Sequence, residues 1–152
     1  MNTIARNIAA VLVGAIVGSL VNIGLIIVGS SIIPAPEGVD VTNAESIAAA
    51  MDQFQVHHFI FPFLAHALGT LVGAVCAYVI AARNKQIFAY AIGALFLLGG
   101  IANSFMIPAP TWFIVLDILA AYIPMAWLGI QIGSKINIGG GTGNSEAEES
   151  QP

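Results

Sequence analysis

Apolar residues fill four long stretches of this chain, at about residues 8–33, 59–82, 87–106 and 111–132, and the polar residues collect between them. Each stretch reaches the roughly 17–25 residues that a helix needs to cross a hydrocarbon core about 30 Å thick. The pattern predicts an all-α integral membrane protein, with four transmembrane helices in two hairpins forming one domain over residues 1–135. The first stretch is much longer than the apolar core of a signal peptide, about 7–15 residues, and runs directly into Pro34. It therefore reads as a retained span. Pro62 falls in the first turn of the second stretch, where a missing N–H costs least, and Pro124 predicts a bend in the fourth.

The breaks between stretches echo one another. Ile32-Ile33-Pro34-Ala35-Pro36 ends the first, and Met106-Ile107-Pro108-Ala109-Pro110 ends the third. Gly18-x-x-x-Asn22 likewise resembles Gly99-x-x-x-Asn103. Together these suggest a parallel internal repeat of the hairpin. The register is imperfect, because Asn22 precedes Ile33 by eleven residues whereas Asn103 precedes Ile107 by four. Independent turn-forming prolines are the competing explanation.

The loop over residues 34–56 carries Glu37, Asp40, Glu45 and Asp52 and no base. Within it, Thr42-Asn43-Ala44-Glu45 has the spacing of a capping box. Ile47, Met51, Phe54 and His58 follow at helical intervals, which predicts a short extracytoplasmic amphipathic helix between the first two spans. Residues 136–152, rich in glycine and glutamate, read as a disordered cytoplasmic tail.

Composition sharpens the class. Hydrophobic residues make up 58% of the chain and charged residues 8%, against about 25% charged in an ordinary soluble domain. Lipid must cover what polar side chains cannot, so the bilayer is the first expected partner. Arg6, Arg83, Lys85 and Lys135 all fall on one side of a four-span topology. The positive-inside rule then places both termini in the cytoplasm and both Pro-Ala-Pro turns outside a plasma (inner) membrane. So few bases form no patch for nucleic acid. The single Cys76 excludes an intrachain disulfide and dithiol redox chemistry.

Candidate chemistry rests on four polar residues in the apolar stretches: Asn22, His66, Asn103 and Asp117. An acid at membrane depth costs about 2.5–3.5 kcal/mol on insertion scales and normally faces a bundle interior or a water path. His66 lies seven residues after Phe59 and Asp117 seven after Pro110, so the two enter their helices to similar depth and are expected to pair. Such a pair either handles protons or cations, or serves as interhelical glue. Asn22 and Asn103 read as amides seeking partners across helices. Ala65, Gly69, Gly73, Ala77 and Ala81 form a small-xxx-small stripe, the signature of close helix contact in lipid, within the chain, in a homo-oligomer or with a partner membrane protein.

His57 and His58 are weak metal candidates, because adjacent helical residues diverge by about 100° and no third ligand lies at the right spacing. Phe59, Phe61, Phe63, Trp112 and Phe113 read as an aromatic interface belt. No cofactor and no catalytic residue are assigned. The leading expectation is a small membrane protein that handles a small solute, ion or proton through an outward-facing polar cluster. A non-catalytic accessory or assembly protein is one alternative. A membrane-embedded enzyme using His66 and Asp117 is another, although no nucleophile motif supports it.

Overall fold

The computed structural model describes residues 2–138. Among these there is no strand, and four helical stretches are long and apolar enough to cross a membrane. The helices are α1 (Thr3–Ile32), α2 (Ala44–Ala49), α3 (Ile60–Ile80), α4 (Lys85–Met106), α5 (Thr111–Ala120) and α6 (Ile123–Ile138), with α5 and α6 sharing the fourth stretch.

α1 begins five residues before its apolar run, because polar groups hold its first turns. The Asn2 side chain accepts the Ala5 N–H at 2.8 Å, an N-cap. Arg6 Nε donates to the Ile80 carbonyl at 2.6 Å, and Asn7 accepts the Ala82 N–H at 2.9 Å. The turn into α4 passes through Asn84 in the left-handed region, at φ 50°, which asparagine tolerates better than most residues. Lys85 then sits over the Tyr78 ring. Arg6, Arg83, Lys85 and Lys135 therefore share one end of the bundle. The acidic loop and both Pro-Ala-Pro turns occupy the other, where Ala35 and Ala109 line the same cavity.

α3 is the hub, packing against α1, α4 and α6, whereas α1 meets α4 over a much smaller surface. The reason is side-chain size. Ala65, Gly69, Gly73, Ala77 and Ala81 are all buried. A Cβ on Gly73 would lie 2.7 Å from the Gly14 carbonyl oxygen, and one on Gly69 would lie 2.8 Å from that of Gly18. At these two levels α1 and α3 touch backbone to backbone. The stripe is thus occupied inside the chain, and a partner helix seated on it would have to displace α1. The rest of the core is similarly small: Ala74, Ala89, Ala126 and Ile130 pack with Tyr78 toward the basic end, and Ala67, Ala121 and Tyr122 with Phe63 and Phe96 nearer the middle.

Three local expectations are corrected. The cap of α2 is Asn43 rather than Thr42, and its side chain accepts from the Glu45 and Ser46 N–H groups. Thr42 is diverted to Asp40, whose carboxylate accepts both the Thr42 N–H and its hydroxyl. The amphipathic segment is also not one helix: α2 stops at Ala49, a 3₁₀ turn covers Met51–Gln53, and a second one at Val56–Phe59 leads into α3. Finally, α6 continues through Ile138, so 136–138 are helical, while the rest of the expected tail, 139–152, lies outside the described residues.

Two outcomes follow. Gly73→Leu forces a side chain into a backbone contact that cannot yield, and should cost more than the about 1–3 kcal/mol typical of overpacking. Gly24→Leu, with nothing within 4 Å of its added Cβ, should be close to neutral; thermal unfolding in detergent compares the two. In the loop, the Thr42 hydrogen bonds hold Asp40 below the usual carboxylate range. That ordering should be complete above the ordinary aspartate range and lost as pH falls through the lowered value, read as amide exchange across residues 40–46.

Candidate polar site and cavity

His66 lies in the second turn of α3, after Pro62 has opened the helix. The hydroxyl of Thr70, a fully buried residue, donates to the His66 carbonyl at 2.7 Å and ties down this part of the backbone. Across the bundle, α5 carries Asp117, which is 5% exposed. His66 Nδ1 stands 2.9 Å from each Asp117 carboxyl oxygen. A carboxylate only accepts, so the network assigns the proton to Nδ1.

The carboxylate has a second donor that the sequence reading missed. The Tyr122 hydroxyl donates to Asp117 Oδ2 at 2.7 Å. Five residues on, a continuous helix would turn a side chain about 140° away. The fourth stretch is not continuous, however: α5 ends at Ala120 and α6 begins at Ile123. Pro124 explains the break, since it has no N–H to offer the Ala120 carbonyl and its ring would crowd that group. The expected proline bend is thus a full interruption, and it brings Tyr122 back to Asp117. Gly100 on α4 completes the arrangement, because a Cβ there would collide with the Tyr122 hydroxyl and ring.

With Nδ1 engaged, the other imidazole nitrogen, Nε2, is left for something else. No buried side-chain nitrogen or oxygen among the described residues lacks a partner, and 20% of the His66 side chain is accessible. Among the described residues Nε2 makes no hydrogen bond, so it is an accessible atom. His66 lines a cavity of about 290 Å³, whose lining also includes Asp117 and Asn103. Ile47, Met51, Phe54 and His58 of the loop cover it, the same four residues whose helical spacing marked an amphipathic segment. They share a face without sharing a helix. A second cavity, of about 280 Å³, lies between α1 and α4 and is lined by Asn22, His66, Asn103 and Tyr122 among others.

The asparagines do not act as bonded glue here. Neither Asn22 nor Asn103 makes a side-chain hydrogen bond among the described residues, and both line cavity wall instead. Their glycine neighbours also differ: Gly18 presses on α3, whereas Gly99 has open space around its Cβ position. The two halves are therefore unlike in packing at this point.

His57 and His58 stack with ring centroids 4.1 Å apart, and His58 Nδ1 accepts the Gln55 N–H, which commits it to the 3₁₀ turn. Among the described residues no three His, Cys, Asp or Glu side chains are grouped for a metal. The five aromatics divide. Phe59 and Phe113 are buried against each other at 4.8 Å, with Trp112 edge-on to Phe59 and half exposed. Phe61 lines the covered cavity and Phe63 packs near Tyr122. Two of the five, Phe59 and Phe113, are therefore buried in the bundle.

Removing one partner of the central pair leaves the other desolvated. His66→Leu or Asp117→Leu should each cost about 1–3 kcal/mol, the penalty of a buried polar group left without its partner, with the histidine loss moderated because its side chain is 20% accessible. The double change, His66→Leu with Asp117→Leu, should unfold less readily than Asp117→Leu alone in the same detergent. Strict additivity of the two single losses would mean that the side chains do not interact.

Comparison of the chain with models of protein families, with curated proteins and with solved structures finds no match. The functional reading therefore rests on the residues and cavities themselves.

Proposed function

We propose that this is an integral membrane protein with four spans in the plasma (inner) membrane and both termini in the cytoplasm, and that it handles a small solute through the covered cavity on its outer side. Lipid on the outside of the bundle accounts for the many exposed leucines and isoleucines of α1, among them Ile8, Leu12, Ile16, Leu20 and Ile27. The gathering of all four bases at one end supports the orientation. It sets the acidic loop and the cavity mouth outside.

The observation that carries the functional reading is the cavity's composition. Its walls are mainly apolar, with a few polar groups converging where His66 and Asp117 meet, the usual make-up of a small-molecule site. A bundle held together only by packing would have no need of an open space beside Asp117, the one buried carboxylate among the described residues. Asp117 and Tyr122 fix the imidazole, and Nε2 is the group presented to the solute, as proton acceptor or hydrogen-bond partner.

The test uses single cysteines in a Cys76→Ala background. Gly38→Cys and Ser104→Cys should react with a membrane-impermeant maleimide added to intact cells, the first on the loop and the second in the cavity wall. Ser134→Cys should react only after the membrane is opened. Labelling of Gly38→Cys and Ser134→Cys from the same side would remove the topology. A silent Ser104→Cys beside a reactive Gly38→Cys would remove the outward-opening cavity.

A further inference from the structure

We propose that the gap between α1 and α4 is a lateral port, through which an uncharged, membrane-dissolved alcohol or phenol reaches His66 and docks by donating its hydroxyl proton to Nε2. This rests on the membrane setting proposed above and names the class of molecule that the site takes.

Three observations carry it. First, the two cavities adjoin: His66, Gly100 and Asn103 line both. Second, the α1–α4 cavity faces sideways at mid-height. Its lining includes Ile23, 54% exposed, and Leu95, 47% exposed, near the middle of helices that run Thr3–Ile32 and Lys85–Met106. In a bilayer that opening lies among acyl chains, not in water. It exists because α1 leans on α3 through the glycine contacts and meets α4 over little surface. Gly99 widens it further, having nothing within 4 Å of its Cβ position.

Third, the polar groups at the junction select the head. Asp117 accepts from His66 Nδ1 and from Tyr122, so its charge is already met by two donors. Among the described residues no lysine or arginine lines either cavity, so none of them would offset the charge of a carboxylate or phosphate head. Nε2 of an imidazole whose Nδ1 carries the proton is an acceptor. A hydroxyl satisfies it, and the Asn22 and Asn103 amides, both free of side-chain hydrogen bonds, can donate to the hydroxyl oxygen. An ether offers no proton and an anion no match. The apolar body would lie along the mainly apolar wall of the larger cavity, under Met51 and Phe54.

The experiment uses the full chain, labelled with 15N-histidine, in phosphatidylcholine nanodiscs. The His66 signals are assigned by their loss in His66→Gln. The probes are 1-decanol, decyl methyl ether and decanoate at equal bilayer concentration. Decanol should move the His66 Nε2 resonance upfield, the direction of an imidazole nitrogen that accepts a hydrogen bond, and leave His57, which lines neither cavity among the described residues, in place. The ether and decanoate should leave His66 unmoved. Gly99→Leu, which adds a side chain to the port lining from an open Cβ position, should abolish the decanol shift while keeping the free-state His66 resonance. Equal shifts from decanol and ether, or no shift from decanol, would overturn the assignment of the head. An undiminished decanol shift in Gly99→Leu would overturn the port. These results are separate from the cysteine test: a reactive Ser104→Cys with a His66 signal indifferent to decanol leaves the outward cavity standing and this inference refuted.

Discussion

A carboxylate several residues inside an apolar helix must be given donors, and most of the middle of this structure follows from how Asp117 obtains two. His66 supplies one from α3 and Tyr122 the other from just beyond the end of α5. Each donor has its own requirement. His66 must stand on a helix within reach of α5, and the central α3 provides that place. Tyr122 must turn back through a broken helix, and Pro124 breaks it. Gly100 must leave room for the hydroxyl. Three helices are thereby committed to one buried group.

The second organising contact is the close approach of α1 and α3. Small residues let two backbones touch at Gly14–Gly73 and Gly18–Gly69. Because α1 is spent mainly on α3, it meets α4 over little surface, and the opening beside that contact reaches the same histidine as the covered cavity. Packing and chemistry are joined here: the stripe that holds the bundle together also decides where it is left open.

Much of this was legible in the chain and some was not. His66 and Asp117 stood out because an ionisable residue in an apolar run is costly, and their matched depth suggested that they meet. The small-residue stripe was visible by its period, but not which helix would cover it, since a small-xxx-small pattern fits any close neighbour. Tyr122 was invisible. A tyrosine two residues before a proline looks interfacial, and only the break in the helix turns it inward. The loop shows the opposite case: Ile47, Met51, Phe54 and His58 were correctly grouped on one face, while the continuous helix assumed to carry them gives way to shorter turns. Periodicity recorded the shared burial, not the backbone that achieves it. The cap at Asn43 was misplaced by one residue because Asp40 competes for Thr42.

The central claim is that Asp117 holds the His66 imidazole by Nδ1 and leaves Nε2 to the cavity. Solid-state NMR on the full chain in lipid bilayers, labelled with 15N-histidine and 13C-aspartate, measures this directly through dipolar recoupling. The account predicts transfer between the protonated His66 Nδ1 and the Asp117 carboxyl carbon at hydrogen-bonded distance, an unprotonated Nε2, and loss of the transfer in Asp117→Asn. A proton on Nε2 with Nδ1 bare, or no transfer to Asp117 at all, would contradict it.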